Sequence, residues 1–133
     1  ARAIAMKMSK SNPQSAIFMT DTAEQVEQKI KKAYCPEGVI EENPLLAYCK
    51  YLLFERFPTL TIVRPEKYGG TVTFSSYDEL CSAYAAKQIH PLDLKAAVAK
   101  GINELLEPVR QHFATNPKAK ELLAAVQSYQ VTR

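Results

Sequence analysis

The sequence predicts a mostly α-helical domain with one small β-hairpin. Three observations carry that reading. Apolar residues recur at helical spacing in successive segments, cap or proline signals stand at the starts of those segments, and two short β-branched or aromatic runs flank a loop at residues 64–70. A chain of 133 residues with 47% hydrophobic and 23% charged residues can bury one core, which excludes a disordered tail.

Taken in order, residues 11–15 (Ser-Asn-Pro-Gln-Ser) read as a loop. Thr22 and Gln25 make a capping box for a first helix, whose face is Val26, Ile30, Ala33 and Tyr34 and whose end is suited by Lys29, Lys31 and Lys32. Cys35-Pro36-Glu37-Gly38 ends it. Asn43-Pro44 restarts the chain as N-cap and first-turn proline, and a second helix carries Leu45, Leu46, Tyr48, Leu52 and Leu53 until Pro58. Residues 59–63 and 71–74 form the expected hairpin. Ser76 with Glu79 is a second capping box, opening a helix that buries Tyr77, Leu80, Cys81 and Tyr84 and ends near Lys87. After Ile89-His90-Pro91 a longer helix carries Leu94, Val98, Ile102, Leu105, Val109 and Phe113 on one stripe, with Pro108 expected to kink it. Asn116-Pro117 opens a last short helix.

A net charge of +3 and a pI near 8.7 permit a nucleic-acid partner without requiring one. Cys35, Cys49 and Cys81 are widely spaced, with no nearby histidine cluster, so reduced thiols and no structural metal are expected. No apolar run approaches the roughly 20 residues that span a bilayer, and the N-terminal residues are too few for a signal-peptide core. The expectation is a cytoplasmic chain with no membrane partner. Its start at Ala1, six residues before its first motif, gives the further expectation of a partial chain.

That motif is Lys7-Met8-Ser9-Lys10-Ser11, a complete KMSKS sequence. The bland alternative is a basic, Ser-rich surface loop. Five specified residues in order arise by chance in a chain this short far less than about once in a thousand. The chemistry that wants them is attack of a carboxylate on the α-phosphate of ATP. Charge then builds on the departing pyrophosphate and must be met by preplaced cations and donors. No glycine lies in the motif, so it is not a Walker-type cradle.

The motif resembles the signature loop of class I aminoacyl-tRNA synthetases, and the resemblance continues. The runs at 30–36 (Ile-Lys-Lys-Ala-Tyr-Cys-Pro), 42–44 (Glu-Asn-Pro), 64–70 (Arg-Pro-Glu-Lys-Tyr-Gly-Gly) and 90–95 (His-Pro-Leu-Asp-Leu-Lys) are similar to tyrosyl-tRNA synthetases of the archaeal and eukaryotic kind. The similarity runs from Lys7 to about Phe113.

This resemblance implies a KMSKS segment of a Rossmann-type catalytic domain at 1–20 and a C-terminal helical anticodon-binding domain at 21–133. In the ATP site it implies Lys10 as the main catalytic contributor, aided by Lys7, with Met8, Ser9 and Ser11 in the same nucleotide-binding loop. ATP would come as its Mg2+ complex. At the other end it implies that the first anticodon base, a guanine, is clamped between Tyr68 and the loop His90, Pro91, Leu92 and Asp93. The physics agrees, because single-stranded bases are read by stacking and by their Watson–Crick edge. A carboxylate at Asp93 offers two acceptors for the guanine ring N–H and exocyclic amine. Arg64, Lys67 and Lys95 flank the pocket and are assigned to phosphates. The plain alternatives are a tyrosine packed over the hairpin, an ordinary acidic first helical turn, and solvated charges.

The implied partners are tRNA(Tyr), with tyrosine and ATP held through a catalytic domain outside these residues, in a homodimer. The second signature of the class, of the His-Ile-Gly-His type, is absent here, so this chain alone is expected to be inactive. A competing reading is a separate tRNA-binding fragment or a regulatory paralogue without catalytic activity.

Overall fold

The structure, a computed structural model, describes residues 15–129, so every expectation on Lys7 to Ser11 lies outside the described residues. Five helices and one hairpin are seen among the described residues. Helix α1 spans Ala23–Lys32 and starts with the expected box: Thr22 Oγ1 accepts from Gln25 N–H, and the Gln25 side chain accepts from Thr22 N–H. Helix α2 (44–56) opens at Pro44, with Asn43 Oδ1 accepting from Leu45 and Leu46 N–H. It widens into one π-helical turn at Cys49–Leu53 and closes with Phe54–Arg56.

Strands β1 (Leu60–Ile62) and β2 (Val72–Phe74) pair antiparallel with Thr61 opposite Thr73. The threonine hydroxyls meet at 3.0 Å on the exposed face, while Leu60, Ile62 and Phe74 turn inward. Helix α3 (Tyr77–Ala85) is capped by Ser76 Oγ. Only half of the predicted box forms, because the Glu79 carboxylate reaches past the cap to Ser75 N–H and Oγ. The helix ends with Lys87 at φ 61° and Gln88 N–H on Ala83 C=O, a left-handed close made without glycine. Helix α4 (Pro91–Thr115) runs unbroken through Pro108, and α5 (Pro117–Ser128) follows from its Asn116 cap.

The core lies between α4 and everything laid against it. Leu94, Val98 and Ile102 of the predicted stripe are buried, with Leu106 below them. Leu105, Val109 and Phe113 are only half-buried, so the stripe rotates toward Leu106 as the helix leaves the core. Gly101 marks the closest crossing with α2: a Cβ there would lie 2.7 Å from Leu53 Cδ2. Leu52, expected inside, is 42% exposed, since the π-turn hands its place to Leu53. Tyr84 is buried and donates to Pro36 C=O at 2.8 Å, tying α3 to the segment after α1. The three cysteines are free thiols, and burial pushes the Cys49 thiol up to about 12.

Lys29 departs from the expected exposed helix end. It is buried, with Nζ 2.6 Å from Asp21 Oδ2 and 4.5 Å from the Phe18 ring centre. Asp21 Oδ2 also accepts from Phe18 N–H at 3.0 Å, and Asp21 C=O accepts from Arg110 Nε and Nη2 at 3.2 and 3.1 Å. This knot pins the start of α1 to the far end of α4. Removing one partner of a buried pair strands the other charge, at a cost of about 3–5 kcal/mol. Asp21→Ala is therefore expected to destabilise by roughly 3 kcal/mol in urea unfolding, and adding Lys29→Met is expected to recover most of the loss. An additive double variant would contradict the pairing.

Candidate nucleic-acid interface

Two loops of different origin build the candidate site. The first is the hairpin turn. After β1, residues Glu66–Tyr68 make one 3₁₀ turn, closed by Tyr68 N–H on Pro65 C=O and Gly69 N–H on Glu66 C=O. Gly69 and Gly70 follow at φ 106° and 69°, backbone that side chains disfavour, so the double glycine is what lets the turn close. Gly70 N–H returns to Pro65 C=O at 3.2 Å. The turn leaves Tyr68 63% exposed, with Lys67 Nζ 4.9 Å from its ring centre.

The second loop is the start of α4. His90 is its N-cap: Nδ1 accepts from Leu92 N–H at 3.1 Å, and His90 C=O accepts from Asp93 and Leu94 N–H. With Nδ1 accepting, the neutral ring carries its hydrogen on Nε2, which becomes an outward donor. Pro91 fills the first helical position, where its absent N–H costs nothing. Asp93 lies in the first turn, where the positive end of the helix dipole favours a negative charge. Leu92 is 61% exposed.

The fold brings these together. Tyr68, His90, Leu92, Asp93 and Arg64 line one cleft of about 800 Å³. Its remaining wall includes Glu37, from the segment after α1, and Lys87 and Gln88, from the turn after α3. Sequence reasoning did not find those three, and no motif marks them: they reach the cleft through the Tyr84 contact to Pro36 and the left-handed close at Lys87.

The three flanking cations separate. Lys67 stays beside Tyr68, free of any carboxylate among the described residues. Arg64 turns inward: Nε donates to Gly70 C=O at 2.8 Å and Nη1 to Gln88 C=O at 3.0 Å. Lys95 leaves the cleft wall and donates to Lys31 C=O at 2.8 Å, at the negative end of α1. It lines a second groove of about 680 Å³ between α1 and α4, which meets the first at Leu92. Among the described residues no group of three or more His, Cys, Asp or Glu could hold a metal, and no helix is long and apolar enough to cross a membrane.

Comparison with known proteins places this architecture. Residues 4–107 match the family of class I tRNA synthetases (W and Y). A cytoplasmic tyrosine–tRNA ligase 2 of Arabidopsis thaliana is 51% identical over 127 residues, covering 96% of this chain and 17% of that protein. A tyrosine–tRNA ligase of Saccharolobus islandicus is 48% identical over 128 residues, covering 96% of this chain and 35% of that protein. Among solved structures, tyrosyl-tRNA synthetase from Pyrococcus horikoshii with L-tyrosine superposes at a TM-score of 0.81 and 43% identity, covering 92% of this chain and 33% of that one. That from Archaeoglobus fulgidus gives 0.77 at 48% identity, covering 80% and 33%. The chain thus spans about a third or less of the relatives it matches.

The cap at His90 separates structural from surface roles. Replacing an N-cap by alanine costs about 1 kcal/mol, whereas asparagine is among the best caps. His90→Ala is expected to lower the melting temperature by a few degrees, roughly 3–5 °C per kcal/mol for a chain of this length. His90→Asn is expected to stay near the wild type, and differential scanning calorimetry checks both.

Proposed function

This chain belongs to the class I tRNA synthetase family (W and Y), in its tyrosine branch of archaeal and eukaryotic type, and on that premise we propose that it is the C-terminal part of a tyrosine–tRNA ligase that reads the anticodon. The observation that carries the reading is the meeting of Tyr68 with the first turn of α4 in one cleft. A flat, exposed ring, an imidazole with its Nε2 donor facing out and a carboxylate form a slot for an unstacked base.

In this reading the first anticodon base, a guanine, slides between the Tyr68 ring and the His90 imidazole. The Asp93 carboxylate takes hydrogen bonds from the ring N–H and the exocyclic amine. Adenine presents an acceptor where guanine presents the ring N–H, so it meets the carboxylate with repulsion. Pro91 and Leu92 hold the turn's backbone and supply an apolar lip. Lys67, beside the ring, and Lys95, in the neighbouring groove, attract phosphates without reading sequence. Each charge-assisted pair to a base edge contributes about 1–3 kcal/mol of discrimination.

Residues 7–11 carry the other half of the proposal. In the longer enzyme, tyrosine's carboxylate attacks the ATP α-phosphorus, the bond to the bridging oxygen breaks, and pyrophosphate leaves with the bonding pair. Lys10 and Lys7 meet the charge growing on it, with the Ser9 and Ser11 hydroxyls helping to hold the loop and Met8 part of the same nucleotide-binding motif. Mg2+ travels with ATP. Tyrosyl adenylate is then consumed by tRNA(Tyr), in a homodimeric, cytoplasmic enzyme.

Two measurements test the halves separately. With Asp93→Asn, filter binding of full-length protein to tRNA is expected to lose about 1–3 kcal/mol of preference for guanine over adenine at the first anticodon position. An unchanged preference removes Asp93 as the reader. With Lys10→Ala, ATP–pyrophosphate exchange is expected to fall about 100-fold or more, and unimpaired exchange would take Lys10 out of the chemistry.

A further inference from the structure

Arg64 is the residue that joins the two sides of the cleft. Its Nε bond ends on Gly70 C=O, two residues beyond Tyr68, and its Nη1 bond ends on Gln88 C=O, two residues before His90. No other hydrogen bond links residues 64–70 to residues 86–93 among the described residues. The guanidinium is also closely packed. A Cβ on Gly69 would lie 2.7 Å from Arg64 Nη2, so the glycine turn lies against the Nη2 end of the group, and Arg64 is only partly exposed.

We propose that Arg64 is a positioning residue that sets the gap between Tyr68 and His90, and through that gap the selectivity for guanine, in place of the phosphate contact its charge suggests. The inference rests on the guanine-reading function proposed above. A guanidinium is planar and its donors are fixed in a fork, so two bonds leaving it in different directions hold two carbonyls in one relative position. A base sandwiched by two rings needs about 7 Å between their planes, twice the ~3.4 Å spacing of stacked bases. Tyr68 rides on the turn that one bond anchors, and His90 caps the helix just beyond the other. When the gap drifts, stacking survives on one face, while the edge of the base loses its alignment with Asp93. Loss of Arg64 thus removes discrimination more than affinity.

Lysine separates the two roles, because it keeps the charge but, as a compact ammonium on a flexible stem, cannot hold both carbonyls in a rigid fork. Full-length protein, R64K and R64Q are titrated with tRNA bearing guanine or adenine at the first anticodon position, over a series of KCl concentrations. Thermal melts verify that each variant is folded at the assay temperature, and R64K alone suffices if R64Q is not. The wild type is expected to prefer guanine roughly tenfold or more. Both variants are expected to lose roughly threefold or more of that ratio, and R64K to keep the wild-type dependence of log Kd on log salt.

If R64K restores both affinity and ratio while R64Q weakens the two tRNAs equally with a salt slope lower by about one, Arg64 is a phosphate contact and the proposal is overturned. It is overturned too if neither variant changes the ratio. A wild type with no preference for guanine fails at the earlier step, removing the guanine reader and this role for Arg64 together.

Discussion

The docking of α1 along α4 is the constraint on which the other elements depend. It is pinned at both ends by groups that a helix leaves unsatisfied or that burial forbids to stand alone. At one end Arg110 reaches back to Asp21 C=O, and Asp21 holds the buried Lys29. At the other, Lys95 donates to the Lys31 carbonyl near the end of α1. Between them Val26 and Ile30 of α1 and Leu94, Val98 and Ile102 of α4 are buried in one core, a favourable but non-directional contribution, while the polar ends fix the register. Because α4 is the shared wall of the core, its first turn is held rigid, which is what the base reading proposed for Asp93 would require.

That arrangement explains why the cleft sits where it does. Helix α4 begins at the edge of the core, beside the hairpin, so His90 and Asp93 line the cleft while Leu94, one residue on from Asp93, is fully buried. The hairpin has its own inward face in Leu60, Ile62 and Phe74, so its turn is projected from an anchored base. Two short, exposed segments are thereby presented by buried supports. Loops positioned by a rigid scaffold are the usual carriers of binding function.

Much of this was legible in the sequence, for local reasons. Thr22, Asn43, Ser76 and Asn116 all cap the helices they announce, because a cap is a contact between residues two or three apart. The hairpin and its glycine turn were legible for the same reason. What escaped was tertiary. Lys29 looks like any basic residue near a helix end until Asp21 and Phe18 close over it. The π-turn at Cys49–Leu53 and the left-handed Lys87 carry no glycine or proline to announce them. The motif positions Tyr68, His90 and Asp93 line one cleft, whereas Arg64 and Lys95 turn their charges onto backbone carbonyls. A charge in a sequence does not say whether it faces solvent, RNA or the chain's own backbone.

The central claim is that one carboxylate, beside one ring, counts the two donors on the edge of a guanine. Inosine at the first anticodon position tests it most directly, since inosine keeps the ring N–H and lacks the exocyclic amine. Binding of the full-length protein to the inosine tRNA is predicted to fall between the guanine and adenine tRNAs. Affinity equal to guanine would show that the amine is not read, and affinity equal to adenine that the ring N–H is not; either result contradicts the two-donor account.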